Sequence, residues 1–349
     1  MLASDDDPRV TTPLPEVSIV MPVRNERMRI GPTLDAVLAQ ELDEPFEVVV
    51  ADGDSTDGTR EYLAKRAASD PRLVVIENPE KGTPQALNRM LAAARGRYLV
   101  RVDGHSLPPR DYVQRLVDHL RTGDCESVGG SKRATGTSPF GRATALAHNS
   151  RLGIGDSKYH YASHAQFVDH VPFGAYVTDR ARSLGGWNED LVRNQDAEFD
   201  YRYRAAGGRI LLDPSVVVDW HVRETARALA KQHFQYGFWR FRSLSMHPGS
   251  LRPRWLVPPA TVAALLVGAS LSWWRPGALL LIATGAAYLL FLALASVMLG
   301  RRSPPSVALR IPLALATMHL SWGTGFVVSS FARVFARGWS PGRISGLEH

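Results

Sequence analysis

The N-terminal part of the chain alternates short apolar runs with polar stretches of helical spacing. Val17-Ser-Ile-Val-Met21 is apolar and rich in β-branched residues, stops at Pro22, and is followed by Arg24-Asn25-Glu26. This pattern predicts a buried strand opening into a loop. Helical spacing follows from Thr33 to Gln40, then a second apolar run from Phe46 to Ala51 that halts at Asp52-Gly-Asp-Ser-Thr-Asp-Gly58. A helix over Thr59 to Ala68, a strand over Leu73 to Glu77, a helix over Pro84 to Ala94 and a strand over Tyr98 to Val102, ending at Asp103, continue the alternation. Strands and helices in this order predict right-handed βαβ units and an α/β fold with a mostly parallel sheet. Such sheets bind ligands beyond the carboxyl ends of their strands. Asn25-Glu26, Asp52 with Asp54, and Asp103 all stand at such ends, which points to one shared site.

Residues 129–170 are rich in Gly, Ser, Thr and His and read as loops and short elements covering the cleft. From Arg223 to Phe241 helical spacing returns, with Phe234, Tyr236, Phe238, Trp239 and Phe241 among basic residues. That mixture predicts a helix lying in a membrane interface. Past Pro253 the character changes: from Leu256 to Phe331 the only charged or imidazole side chains are Arg275, Arg301, Arg302, Arg310 and His319. Three apolar stretches, about Leu256–Trp274, Gly277–Leu299 and Val307–Phe331, each approach the ~20 residues that cross a bilayer. Trp273 and Trp274 suit an interface belt, and the loop holding Arg301 and Arg302 favours the cytoplasm, which makes the first two stretches a helical hairpin. A third full crossing would put Arg333, Arg337 and Arg343 outside, so either the third stretch is re-entrant or the first does not span. His319 needs a partner helix or a lipid headgroup, as packing or as ligand contact.

The expected organisation is a disordered tail over 1–15, an α/β domain over 16–222, amphipathic interfacial helices over 223–254, a membrane region of two or three transmembrane segments over 255–335, and a tail over 336–349. The last three residues, Leu347-Glu-His349, read as the start of an expression tag. Asp5, Asp6 and Asp7 without an apolar core do not read as a signal peptide, so the first domain should stay on the side where it was made.

A net charge of +7 raises the question of nucleic acid, yet the chain has no zinc-finger spacing, RNP-like aromatic strand or arginine tract. An anionic membrane surface explains the excess better: Arg240, Arg242, Arg252 and Arg254 precede the first apolar stretch, where each basic residue gains roughly 1 kcal/mol from acidic headgroups. Cys125 is the single cysteine, which excludes an intrachain disulfide and thiol-rich metal sites and fits a reducing cytoplasm.

Val17-Ser-Ile-Val-Met-Pro-Val-Arg-Asn-Glu26 resembles the opening strand and nucleotide-contacting loop of the family 2, GT-A-type glycosyltransferases. Over Val17 to Arg242 the chain resembles most closely the succinoglycan-type exopolysaccharide transferases of that family, with a weaker similarity over Met318-His-Leu-Ser-Trp-Gly-Thr-Gly-Phe326. The resemblance implies a GT-A, Rossmann-like domain followed by C-terminal transmembrane helices. It implies a donor site made by Pro22, Arg24, Asn25, Glu26, Asp52, Asp54, Arg101 and Asp103, with Lys81, Gln85 and Asn88 in the segment that closes over the nucleotide. Carboxylates suit that role because uracil N3–H and ribose hydroxyls are donors. Capping of the next helix is an alternative for the Asp54-Ser-Thr-Asp57 stretch, above all for Asp57.

Arg101-Val-Asp-Gly-His105 falls where the family carries an Asp-x-Asp metal motif, which implies Asp103 and His105 as ligands of Mn²⁺ or Mg²⁺. Imidazole in place of the second carboxylate shifts the preference toward Mn²⁺. Gly185-Gly-Trp-Asn-Glu189 and Asn194-Gln-Asp-Ala-Glu-Phe-Asp200 resemble the acceptor loop and catalytic Glu-Asp motif, with Gln195 in place of the Glu and Asp196 as general base. A solvated acidic helix start is the alternative there. Trp187, Gln195, His221, Gln235, Trp239 and Arg240 are the implied acceptor contacts. The implied activity is inverting, metal-dependent transfer of a hexose from a nucleoside diphosphate-sugar, a UDP-sugar, to a lipid-linked acceptor on the cytoplasmic side of a cell membrane, with no nucleic-acid partner. A polyprenyl-phosphate monoglycosyltransferase and a non-catalytic nucleotide-sugar-binding scaffold are the alternatives.

Overall fold

The computed structural model describes residues 14–335; the expected tails over 1–15 (Leu14 and Pro15 apart) and 336–349 lie outside the described residues. In chain order the elements are β1 (Val17–Val23), α1 (Ile30–Leu38), β2 (Phe46–Asp52), α2 (Thr59–Ala67), β3 (Leu73–Glu77), α3 (Thr83–Ala93), β4 (Tyr98–Arg101), α4 (Tyr112–Arg121), β5 (Ser127–Thr135), α5 (Pro139–His148), α6 (Arg151–Ile154), β6 (Gln166–Phe167), β7 (Ala175–Val177), α7 (Thr178–Ser183), α8 (Gln195–Ala205), β8 (Ile210–His221), α9 (Ala226–Met246), α10 (Val257–Ser270), α11 (Arg275–Gly300), α12 (Pro305–Ala308) and α13 (Ile311–Phe335). They divide into two compact units, one made of residues up to 130, 164–187 and 202–218, the other of 131–163, 188–201 and 219 onward.

An eight-stranded sheet has the order β3-β2-β1-β4-β7-β5-β8-β6, all of it in the first unit except Ser131–Thr135 of β5 and Asp219–His221 of β8. Its β3-β2-β1-β4 half is parallel, as expected. Beyond β4 the strands turn antiparallel. Strands covered on both faces read as continuous apolar runs rather than alternations, and Ile19, Val20 and Met21 of β1 are all fully buried. The core joins these strands to Ile30, Leu34 and Val37 of α1 and Val113, Leu116 and Val117 of α4.

The stretch 129–170, expected as loops and short elements, contains the short α6 and β6 and also most of the nine-residue β5 and the ten-residue α5. The strand was masked because Gly129 and Gly130 carry no side chain to register its period. They are glycines for lack of room: a Cβ on Gly129 would meet the Val171 side chain, and one on Gly130 the Val216 carbonyl.

In the second unit, Thr225 caps α9 by accepting from the Ala228 amide. The expected interfacial helix is α9, but its aromatic face does not lie open. Phe238 and Trp239 are buried with Leu191, and Phe241 packs edge-on to Phe326 of α13. Gly237 lies against the Trp322 carbonyl and Gly325 against that of Phe234, so the two backbones touch where no side chain fits. An aromatic-basic pattern reports an apolar face without saying what covers it, and here α13 does.

The first apolar stretch forms only the 14-residue α10, about 21 Å long at 1.5 Å per residue, too short for the ~30 Å apolar layer of a bilayer. Two helices are long and apolar enough to cross: Arg275–Gly300 and Pro305–Phe335. Of the two sequence alternatives, the one in which the first stretch does not span agrees with these lengths. Leu279, Ile282 and Leu289 of α11 face outward.

Three histidines meet in the second unit. His148 Nδ1 lies 2.9 Å from the Thr144 carbonyl and so carries the proton, leaving Nε2 to accept from His233 Nε2 at 3.3 Å. His160 Nδ1 donates to the Lys132 carbonyl at 2.7 Å. Burial pushes His148 down to about 4 and His160 down to about 3, and drives His233 well below its ordinary value. Below an unfolded value near 6.5 the unfolded chain takes up protons that the folded chain refuses, so stability is complete above that pH and falls as pH drops toward the folded values. The expected slope is about 1.4 kcal/mol per pH unit for each imidazole. Melting the detergent-purified protein at pH 7.5 and pH 5.5, with His160→Asn beside wild type, checks this: the variant should lose less on acidification, and an equal loss excludes His160.

Candidate active site

The parallel register sets the strand ends level. Val23 pairs with Asp52 and Asp52 with Glu77, while Val20 pairs with Arg101, so continuing β4 by two residues brings Asp103 beside Pro22. Asp52 is 2% exposed. Its Oδ2 accepts from the Ser55 amide at 3.2 Å and from Arg60 Nε at 3.3 Å. Its Oδ1 is buried with no hydrogen-bond partner. Asn78, just past β3, is equally buried and also has a partnerless Oδ1. Nothing in the sequence pattern singles out Asn78 except its place after a strand end.

Asp54 occupies the left-handed region at φ 56°. It is ion-paired with Lys81 at 2.7 Å and Arg60 at 3.2 Å, and the Lys81 ammonium above all holds its carboxyl below the usual range. Asp57 does take the capping role: its Oδ1 accepts from the Thr59 amide at 3.1 Å and from the Thr59 hydroxyl. The loop after β1 is laced to this one, with Asn25 Oδ1 accepting from the Thr56 amide at 2.9 Å and the Glu26 amide donating to Thr59 Oγ1 at 3.0 Å. Arg24 is exposed beside them.

At the end of β4, Asp103 Oδ1 accepts from Arg101 Nε at 3.0 Å, and the buried Arg101 lies over the Phe173 ring. His105 Nδ1 is 3.4 Å from Glu26 Oε1, and that carboxylate raises the imidazole above its ordinary value against the opposing effect of burial. Among the described residues no three His, Cys, Asp or Glu side chains converge to hold a metal. Asp103 and His105 are too few for a resident ion, but they fit one that takes its remaining oxygens from a diphosphate, as Mg²⁺ commonly does with one or two carboxylates.

Three expected contacts are otherwise engaged. Asn88 donates to the Trp187 carbonyl and accepts from the Trp187 amide, each at 2.8 Å, so it clamps a backbone. Trp187 is 2% exposed and packs edge-on to Tyr176. Gln85 is buried against Gly82.

In the second unit, Asn194 turns the chain into α8 at φ 63° and donates to the Tyr236 carbonyl at 3.2 Å. Gln195 is buried and Asp196 partly so, at the positive end of the helix dipole. Glu198, 1% exposed, holds His247 Nε2 at 2.8 Å and thereby ties α8 to the end of α9. Tyr159 lies in a turn over Lys158–His160, where burial above all raises its phenol. The Glu198–His247 tie was not legible, since it joins distant segments. His221 pairs with Glu224 at 2.8 Å. Glu224 in turn accepts from the Thr137 and Ser138 amides. Gln235 is partly buried on α9, and Trp239 is a core side chain.

A half-parallel sheet with carboxylates at the ends of β2 and β4 is the arrangement of the GT-A glycosyltransferase fold. The fold is similar to that of a mannosyltransferase from Pyrobaculum calidifontis, PcManGT, solved with GDP-Man and Mn²⁺: TM-score 0.56, 22% identity, covering 93% of this chain and 88% of that one. Residues 18–175 match the Glycosyl transferase family 2 model. The succinoglycan biosynthesis protein ExoA of Rhizobium meliloti is 33% identical over 88% of this chain and 93% of its own. The pre-mycofactocin glycosyltransferase of Mycobacterium tuberculosis is 26% identical over 82% of this chain and 57% of its own. The chain belongs to glycosyl transferase family 2.

Asn88→Ala removes both bonds to Trp187 and should cost about 1–3 kcal/mol of stability. Donor affinity, read by titration calorimetry below the melting range, should stay within a few-fold of wild type; a large loss of affinity at unchanged stability would make Asn88 a nucleotide contact after all.

Proposed function

We propose that this glycosyltransferase moves a hexose, with inversion, from a nucleoside diphosphate-sugar to a lipid-linked acceptor during exopolysaccharide assembly at a membrane. The observation that carries the reading is Asp52 Oδ1, a buried carboxylate oxygen without a partner at a strand end. An orphaned acceptor of this kind is costly unless a ligand donor fills it, and a nucleobase N–H or ribose hydroxyl does so. Asp54, Lys81 and Arg24 surround the same end with charge. The 33% identity to ExoA over most of both chains supports the exopolysaccharide setting. GDP-Man and Mn²⁺ in PcManGT support a diphosphate-sugar donor and a divalent ion.

In the reaction, Asp196 accepts the proton of the acceptor hydroxyl as its oxygen bonds to the anomeric carbon. The bond from that carbon to the diphosphate oxygen breaks, and its electron pair leaves with the nucleoside diphosphate. One displacement with one base and no enzyme nucleophile inverts the anomeric centre. A divalent ion held by Asp103 and His105 would supply positive charge against the departing diphosphate. The helices Arg275–Gly300 and Pro305–Phe335 support attachment to the bilayer.

Asp196→Asn should lower turnover by at least ~10²-fold with donor affinity nearly unchanged, measured as product formed on native lipid extract from a panel of nucleotide sugars. Near-normal transfer removes Asp196 from the mechanism. For the metal, calorimetry should show donor binding that needs a divalent ion, prefers Mn²⁺ over Mg²⁺, and disappears in Asp103→Ala, while His105→Asp moves the preference toward Mg²⁺. Equal donor binding in the presence of a chelator would contradict both ligands.

A further inference from the structure

The turn that ends β4 is packed directly on the loop that follows β1. The Asp103 carbonyl accepts from the Ser106 amide at 2.9 Å, which closes a turn over Asp103-Gly-His-Ser106. A Cβ on Gly104 would stand 3.0 Å from Val23 Cγ2, 3.4 Å from the Pro22 carbonyl oxygen and 3.8 Å from Glu26 Cγ. Glu26 is anchored through its backbone. Its amide donates to Thr59 Oγ1 at 3.0 Å, and its carbonyl accepts from the Arg29 and Ile30 amides, each at 2.8 Å. From this fixed position the carboxylate reaches His105, with Oε1 3.4 Å from Nδ1.

A second pair holds the neighbouring aspartate. Arg101 Nε donates to Asp103 Oδ1 at 3.0 Å, and the guanidinium lies over the Phe173 ring, 5.6 Å from its centroid. Phe173 sits in the left-handed region at φ 52°, a conformation that a bulky residue keeps only where its surroundings enforce it. Each expected ligand thus has one polar atom committed to a protein partner. Asp103 is left with Oδ2 for an ion, and His105 with Nε2. The imidazole is 44% exposed, so a ligand can approach it. A metal-bound imidazole gives its other N–H to a carboxylate or carbonyl, which fixes the tautomer and makes the ligating nitrogen more basic. Charge argues the same way. Arg101 offsets the Asp103 carboxylate and an imidazole ligand is neutral, so Glu26 is the remaining negative charge of these four residues.

We propose that Glu26 is a positioning residue of the metal site: it holds the His105 ring so that Nε2 meets a divalent ion, and it does not bind the nucleotide itself. This rests on the proposed function, in which Asp103 and His105 hold the ion, and it moves Glu26 out of the donor contacts that the resemblance implies.

The test uses the full-length protein in detergent with Mn²⁺ and, in parallel, uridine diphosphate or guanosine diphosphate. Electron paramagnetic resonance reads the free Mn²⁺, and spin-echo modulation reads nitrogen on the bound ion. Wild type should show modulation from an imidazole nitrogen that is absent in His105→Asp. Glu26→Ala should weaken Mn²⁺ binding by ~10–100-fold, the scale of a lost outer-shell partner, and shrink the imidazole signal. Glu26→Gln, which keeps an acceptor for Nδ1–H but not the charge, should lose a smaller part. In the His105→Asp background no ring needs orienting, so there Glu26→Ala should change Mn²⁺ affinity by no more than a few-fold. A loss that persists in that background makes Glu26 a contact of the nucleotide or of the ion and overturns the proposal. Should Glu26→Ala fail to fold, Glu26→Gln takes its place in the same comparison, and unchanged Mn²⁺ affinity with His105 present overturns the proposal as well. No Mn²⁺ binding in wild type, or binding without imidazole modulation, removes His105 as a ligand, and the metal reading fails together with this one. Imidazole modulation that is insensitive to Glu26 sinks the present proposal alone.

Discussion

The register of β1 against β2 and β4 is the constraint on which the donor side depends. A one-residue slip would turn every side chain of a strand to the opposite face, taking Asp52 away from Val23 and Arg101 away from Val20. The apolar runs alone do not fix it, because strands buried on both faces gain nearly as much area when shifted. A polar network at the opposite end does. Ser18 Oγ donates to Glu47 at 2.7 Å and accepts from the Gly96 amide at 2.8 Å, while Glu47 also accepts from the Arg95 amide and side chain. Glu47 is 2% exposed, so a slip would strand a buried charge. Buried pairs of this sort contribute little net stability but penalise the wrong arrangement. Pinning three strands at their amino ends sets their carboxyl ends level.

From that row the acidic residues divide their work according to burial. Asp57 satisfies helix amides and is structural. Asp54 is half exposed and already neutralised by Lys81 and Arg60. Asp52 keeps one oxygen buried and unpaired. The sequence Asp-Gly-Asp-Ser-Thr-Asp marks Asp57, next to the coming helix, as the best cap, but it does not say how buried each of the three is. What separates them is the end of β2: Asp52 is the last residue of the strand and inherits its burial, whereas the other two follow the turn.

How much was legible follows the same logic. The parallel half of the sheet was visible because doubly covered strands are uninterrupted apolar runs bounded by polar loops, and β1, β2 and β3 lie where those runs are. The antiparallel half was not, because β5 passes through paired glycines and β6 and β7 are too short to show a period. In the second unit α9 and the apolar helices after it were visible as helices, but their partners were not, and α5 was hidden in a stretch that read as loops and short elements. Trp239 and Phe238 looked like interface residues because the side chains that cover them lie far along the chain. Asn88 looked like a nucleotide contact from its position, and only the fold reveals the Trp187 backbone that occupies it.

Within the sheet the orphaned oxygen of Asp52 is the group the fold leaves unfinished. Asn78, just past the neighbouring strand β3, carries a second buried oxygen without a partner. A buried acceptor without a donor costs stability in the free protein. Both atoms only accept, so N–H and O–H groups relieve them while phosphate oxygens do not. The two strand ends therefore share one chemical demand, and the burial that each inherits from its strand is what makes that demand costly to leave unmet.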